Sequence, residues 1–329
     1  VTAPPFVPPP LDEVLAGAVV VSLPMRVRFR GITEREVVLV EGPAGWGEFG
    51  PFVEYDDSEA ADWLRSALES AWLPAPPARR AAVPVNATVP AVDPDRVPEV
   101  LARFPGARTA KVKVAERGQG LTQDLARVAA VRALVPEVRI DANGGWNVDE
   151  AVTALTALTA DAPLQYAEQP CATVPELVEV RRRMPDVRIA ADESIRRADD
   201  PMRVVRAGGA DVAVVKVAPL GGIRRLLALA DELAGHGVPV VVSSALESAV
   251  GMGAGLAAAA ALPDLPFACG LGTGGLFAAD VAAPRNPTAG ALAPVAVVPD
   301  PAMIAELAVA PDRRRWWFER IRRTHALLG

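Results

Sequence analysis

Apolar positions along this chain follow two different rhythms. Over residues 15–50 they form short β-branched runs, at 19–23 and 37–40, punctuated by Gly31 and by Gly42-Pro43. That pattern predicts antiparallel strands. From 57 to 72 the period becomes helical: Ala61, Leu64, Leu68, Ala71 and Trp72 fall near one face. Asp56, Asp57 and Ser58 stand where an N-cap belongs. Residues 74–84 (PAPPARRAAVP) are a linker by composition. A small α+β domain is therefore expected over residues 1–82.

Beyond the linker, strand-length runs alternate with helical periods. The runs are 83–89, 109–114, 138–141, 164–168, 188–192, 212–217, 238–243 and 267–270. Helices fit between them, for example at 121–134, 148–158, 174–183 and 223–233. Six runs carry a polar residue at their ends: Lys113, Asp141, Glu168, Asp192, Lys216 and Ser243, spaced 28, 27, 24, 24 and 27 residues apart. Parallel strands need crossovers of this length, and eight such units close into a (β/α)-barrel. The competing architecture is a doubly wound sheet, which would carry a glycine-rich phosphate turn after its first strand; none is present. The α/β barrel is assigned to 83–289 and a C-terminal return to 290–329, with Trp316, Trp317 and Phe318 packing a last helix back onto the rest. The Ala/Gly-rich stretch 249–262 reads as a buried helix, too short and too weakly apolar to span a bilayer.

Composition narrows the class. The chain has 329 residues, is 51% hydrophobic and 22% charged, and carries a formal charge of −6. Such a balance fits a globular protein with a large core and argues against a general nucleic-acid binder. The basic residues Arg313, Arg314, Arg315, Arg320, Arg322 and Arg323 read as the solvated face of a helix. Cys171 and Cys269 show neither metal spacing nor a disulfide framework, and the proline-rich start lacks the apolar segment of a signal peptide. A cytoplasmic protein with no integral membrane association is the expectation. Composition leaves homo-oligomerisation open.

Strand C-termini of such a barrel converge on one mouth, and side chains alternate between interior and helix layer. Lys111 and Lys113 therefore share a face. Either the strand is an exposed edge, or the pair is buried beside anions. Asp141, Glu168 and Asp192 end three consecutive strands, an all-oxygen donor set suited to Mg²⁺, with Mn²⁺ as its substitute. Asn143 is placed to orient a ligand or its water. Glu193 should face differently from Asp192 and ranks second as a ligand, or pairs with a lysine. Lys216 ends the strand after Asp192, about half a barrel from Lys113. A metal-held carboxylate eases removal of an α-proton. A lysine base must be neutral, which burial and neighbouring cations favour.

Lys-Val-Lys (111–113), Asp-Ala-Asn-Gly-Gly-Trp (141–146), Glu-Gln-Pro (168–170), Asp-Glu-Ser (192–194) and Val-Lys-Val (215–217) resemble, in order and spacing, the muconate-lactonizing subgroup of the enolase superfamily. The resemblance implies a barrel capped by the N-terminal domain and the C-terminal return, a divalent metal, and a small carboxylate substrate. Several subgroups are disfavoured by what is missing. Residues 240–248 hold no His, as mandelate-type racemases require there, and 271–277 hold no Asp-x-Asp, as dipeptide epimerases do. His236 and His325 read as structural or exposed. What remains is similar to the o-succinylbenzoate synthases, the N-succinylamino-acid racemases or the cycloisomerases. The segment 45–52 (GWGEFGPF), the short chain and Arg139, two residues before Asp141, resemble the synthases; Arg139 reads equally as an ion-pair partner inside the barrel.

The synthase likeness implies dehydration of a hydroxycyclohexadiene dicarboxylate (SHCHC) to 2-succinylbenzoate. Lys113 would be base and then acid, Lys111 its cationic neighbour, and Lys216 a cation on the opposite face stabilising the ene-diolate. In a racemase Lys113 and Lys216 would both exchange protons. Ser243, Ser244 and the segment from Gly270 to 275 either donate to the second carboxylate or only make tight turns. Residues 23–31 read either as a capping loop whose Arg26, Arg28 and Arg30 attract the substrate's charge, or as a strand whose alternating arginines are solvated. A barrel that binds metal without catalysis is the reading from a different class; the intact lysines and acids oppose it.

Overall fold

The computed structural model describes residues 6–29, 31–196 and 200–328. The N-terminal unit begins with α1 (Leu11–Ala16) and a sheet of three antiparallel strands, β1 (Ala18–Phe29), β2 (Ile32–Gly42) and β3 (Gly45–Phe49). Helix α2 (Asp57–Trp72) lies on that sheet; Asp56 caps it by accepting from Glu59 N at 2.8 Å. The contact is so close that a Cβ on Gly47 would stand 1.9 Å from Ala67 O, so only glycine fits there. Strand β1 runs through 23–29, so that segment is strand rather than loop. Pro24 offers no N–H to the ladder, and the register with β2 slips between Pro24 and Phe29. The freed Pro24 carbonyl accepts from Ala278 N at 2.7 Å, tying β1 to the barrel instead. Arg26 and Arg28 are exposed; Arg30 lies outside the described residues.

The barrel comprises β5 (Ala87–Val89), β6 (Thr109–Lys113), β7 (Glu137–Asp141), β8 (Ala167–Glu168), β9 (Ile189–Ala191), β10 (Val212–Val215) and β11 (Val240–Val242), all parallel and adjacent in chain order. Around them stand α3 (Val97–Leu101), α4 (Leu121–Arg132), α5 (Val148–Thr159), α6 (Val174–Arg183), α7 (Glu193–Arg196), α8 (Arg203–Arg206), α9 (Ile223–Gly235) and α10 (Ala249–Ala261). The last expected strand, 267–270, survives only as bridges, and these close the ring. Gly270 N donates to Val242 O at 2.9 Å, and Asn86 N to Cys269 O at 2.9 Å. The expected run 83–89 is also broken. Its start, β4 (Val83–Pro84), pairs antiparallel with β12 (Ala291–Leu292), and only Ala87–Val89 joins the parallel sheet.

After β12 come α11 (Pro301–Glu306) and α12 (Pro311–His325), which returns to the N-terminal unit. Trp317 and Ile321 are fully buried with Phe49, Leu64 and Leu68. Trp317 Nε1 donates to Glu36 at 2.8 Å. The basic face of α12 is not wholly solvated. Arg320 is 1% exposed and donates to the carbonyls of Phe52 (3.1 Å) and Tyr55 (2.6 Å), which orders the turn before α2. No helix among the described residues is long and apolar enough to cross a membrane.

Glu48 of β3 ties the N-terminal unit to the barrel. Its Oε2 accepts from Ser248 N at 3.0 Å and Gly251 N at 3.3 Å, at the start of α10. Burial, and then the neighbouring Glu247, push its carboxyl up from 4.5 to about 8, against Ser248 and Arg35. The folded state thus binds this proton more tightly than the unfolded chain. The linked stability is full below pH 4.5 and is lost as pH rises through about 8. Glu48→Gln should therefore gain on the parent by roughly 1–3 kcal/mol more at pH 8.5 than at pH 5. Urea unfolding at both pH values checks this; an equal difference at the two would refute it.

Candidate active site

Alternation on β6 turns Lys111 and Lys113 to one side and Val112 to the other. They are not an exposed edge: the side chains are 9% and 12% accessible. Lys111 Nζ lies 2.9 and 3.0 Å from the two oxygens of Glu168 and 3.1 Å from Asp141 Oδ2. Lys113 Nζ lies 2.6 Å from Asp141 Oδ2 and 2.5 Å from Asn143 Oδ1. The register explains this, since Lys113 is paired with Asp141 and Asp141 with Glu168 across neighbouring parallel strands. Across the mouth, Lys216 donates to Asp192 Oδ2.

A belt of polar contacts joins the two lysines. Asn143 Nδ2 donates to Glu193 Oε1 at 3.2 Å, Arg196 Nη2 to the same oxygen at 2.8 Å, and Arg196 Nε to Asp192 Oδ1 at 3.1 Å. Glu193 thus faces Arg196 and Asn143 rather than a lysine. The chain turns sharply behind two of the acids: Asn143 (φ +48°), two residues after Asp141, and Gln169 (φ +40°), directly after Glu168, adopt the left-handed region. Gln169 then braces the next strand end: its Oε1 accepts from Asp192 N at 3.0 Å and Ser194 N at 3.2 Å.

The electrostatics follow from crowding in a dry site. Burial opposes the charge on Lys111, yet Glu168 and Asp141 carry its pKa well above the lysine value. Burial, then the charge of Asp141, pushes Glu168 up to about 7 despite Lys111. Burial likewise works against Asp141 and Asp192. Lys113 and Lys111 hold the first far below the carboxylate range, and Lys216 and Arg196 hold the second below it. Burial lowers Lys216, with Asp192 opposing.

No three acidic, histidine or cysteine side chains among the described residues stand in a metal-ligand arrangement. Each carboxylate is turned toward a basic group instead. The donor set nevertheless suits a hard divalent cation. Asp141, Glu168 and Asp192 are buried oxygen donors on consecutive strands, and Asp141 and Asp192 both raise Glu168 by repulsion that a cation among them would relieve.

The mouth is a cavity of ≈ 40 Å³ lined by the three lysines, Asp141, Asn143, Asp192, Glu193, Ser243, Ser244 and Gly270. Ser244 is already engaged, donating to Glu247 at 2.6 Å and accepting from Thr273 Oγ1 at 2.7 Å. Gly270 makes room for Ser243: a Cβ there would stand 2.4 Å from Ser243 Oγ. Arg139 does not reach the cavity. It is 0% exposed and donates to Tyr166 OH at 2.8 Å and Ala268 O at 2.9 Å, with no carboxylate partner among the described residues. Sequence reasoning missed Arg196, Thr88 and Leu246, which also line the mouth, while Thr273 falls in the 270–275 segment it singled out. Only Arg196 left a signal, four residues after Asp192 on a helical turn.

The family described as Enolase C-terminal domain-like matches residues 97–295, and Enolase N-terminal domain-like matches 20–71. The chain belongs to the enolase superfamily, whose members use a divalent metal. Within it, the chain is similar to o-succinylbenzoate synthases: 65% identical over 321 residues to one from Mycobacterium marinum, covering 98% of this chain and 97% of that protein. It is 65% identical over 320 residues to one from Mycolicibacterium smegmatis, covering 97% and 98%. Its fold is similar to muconate lactonizing enzyme from Pseudomonas putida (21% identity, TM-score 0.72, 89% of this chain and 98% of that one). The Pseudomonas fluorescens enzyme complexed with muconolactone is similar too (23%, TM-score 0.75, 89% and 98%).

Proposed function

We propose that this chain is an o-succinylbenzoate synthase, a hydro-lyase that dehydrates SHCHC to 2-succinylbenzoate in menaquinone biosynthesis. One observation carries the reading: two lysines flank one cavity from opposite sides with a row of carboxylates between them, in a chain 65% identical to proteins of that name. Asp141, Glu168 and Asp192 would hold Mg²⁺, which supplies positive charge to the substrate carboxylate as its α-proton leaves. Lys113 takes that proton and returns it to the hydroxyl departing from the same face, so one residue serves as base and then acid. Lys216 stays on the opposite face as a cation.

Charge balance supports this assignment. The acids Asp141, Glu168, Asp192 and Glu193 match the cations Lys111, Lys113, Lys216 and Arg196 one for one. A dication entering with a dicarboxylate substrate leaves that balance unchanged, and Lys113 gives up its proton before it acts as base. We assign the cap to residues 1–82 and 290–329; supporting contacts are Arg35 Nε donating to Leu246 O at 3.1 Å and Arg196 Nη1 to Tyr55 OH at 3.3 Å. Such a reaction needs no nucleic acid and no membrane, and we place it in the cytoplasm.

The depressed Lys216 favours a second reading, an N-succinylamino-acid racemase, because a lysine that gives up its proton readily can exchange it. Metal-dependent loss of SHCHC ultraviolet absorbance, beside α-deuterium exchange of an N-succinylamino acid in D₂O, separates them. Fast dehydration with little exchange is expected. Exchange without dehydration would overturn the synthase assignment.

A further inference from the structure

The barrel's eighth stave, 267–270, is followed by irregular chain rather than a covering helix; within 271–290 only Thr273–Leu276 forms a 3₁₀ turn. A cavity of ≈ 310 Å³ opens on that flank, between this chain and α10. Met252, Leu256, Leu271 and Phe277 make its floor, all buried. Arg26, Arg103 and Arg285 stand on its walls.

One of these arginines is only half satisfied, and another has no carboxylate partner among the described residues. Arg103 pairs with Glu99 through Nη2, while its Nη1 is buried with no hydrogen-bond partner. Arg285 donates only to the main-chain carbonyls of Ala293 and Val295, and no carboxylate pairs with it among the described residues. It is half-buried, and that partial desolvation lowers its pKa. The acids on the wall are committed elsewhere. Glu247 accepts from Ser244 Oγ and Ala245 N, and Asp280 from Ala249 N and Val281 N. Half-buried guanidinium groups over an apolar floor call for an anion with an apolar body.

We propose that this cavity is a second binding site, for a small arene or alicyclic carboxylate whose ring lies on Met252, Leu256 and Phe277 and whose carboxylate is held by Arg103 and Arg285. Its volume is at the lower end for ligand pockets, which limits the ligand to one or two rings. The site is distinct from the mouth. Glu247, Ser248 and Gly272 line it, whereas Ser244, Leu246 and Thr273 line the mouth, so a ligand rests against the back of the segment carrying Ser244.

Calorimetric titration of the full chain in magnesium buffer tests this with 1-naphthoate and its uncharged analogue 1-naphthamide. Naphthoate should bind one to one and the amide about 10-fold more weakly or less, as befits loss of a charge-assisted contact. Arg285→Met should weaken naphthoate by about 10-fold while the melting temperature holds. Gly274→Trp, whose Cβ meets no atom within 4 Å, should block the rim and abolish binding of both probes. Lys113→Ala should leave binding unchanged. No binding at millimolar probe, binding that survives both Arg285→Met and Gly274→Trp, or binding lost in Lys113→Ala would each overturn the proposal.

Discussion

Lys113→Ala should lower kcat for SHCHC dehydration by about 10³-fold or more, the scale of losing a positioned acid–base group. The fold should survive. Lys113 is only partly buried, and the Asp141 carboxylate it leaves behind keeps Lys111 at 3.1 Å. Lys113→Arg should be nearly as inactive, because a guanidinium stays protonated and cannot accept the α-proton. That variant separates a base from a charge: if a cation were all the position supplied, Arg would restore much of the rate. KM should change far less than kcat, since the lysine acts on the proton in flight rather than on the bound ground state. Steady-state kinetics beside a thermal melt measure all of this, and turnover retained in a folded Lys113→Ala protein would remove Lys113 as the base.

The residues of that prediction are legible in the sequence because strand period and chemistry coincide. Lys113, Asp141, Glu168, Asp192 and Lys216 recur at a βα spacing, and a parallel barrel has one place to put such a series. The helices were legible too: the helical run at 174–183 is α6 (Val174–Arg183). What escaped was everything set by partners distant in sequence. Arg320 looked like one arginine of a solvated run, and its burial follows from carbonyls left free by Phe52 and Tyr55. Arg139 shares the inward face of β7 with Asp141, but one layer of the barrel deeper, so it meets Tyr166 and Ala268 rather than the mouth. The break at β4 depends on β12, more than two hundred residues away. Local pattern carries none of these.

Asp192→Asn should weaken Mn²⁺ or Mg²⁺ binding by at least about 100-fold, and Glu193→Gln by much less. Geometry and charge set the difference. Asp192 is 2% exposed at the end of β9, beside Glu168 in the row of buried acids, whereas Glu193 turns to the belt formed by Asn143 and Arg196. Asparagine keeps an oxygen for Lys216 but no charge for a dication. The substitution also strips the only carboxylate that pairs with Lys216 among the described residues, and partly that of Arg196. A stability loss of about 3–5 kcal/mol is therefore expected alongside. Metal affinity must be read by calorimetry on protein still folded, and the melting temperature compared with that of Glu193→Gln. Pairing Lys216 without binding metal would leave Asp192→Asn destabilised yet with unchanged affinity; if Glu193→Gln then lost the metal, the third ligand would be Glu193. Loss of both stability and affinity in Asp192→Asn alone would mean that one carboxylate restrains Lys216 in the empty site and yields to the cation in the loaded one, leaving the opposite face of the mouth with a cation free to meet substrate.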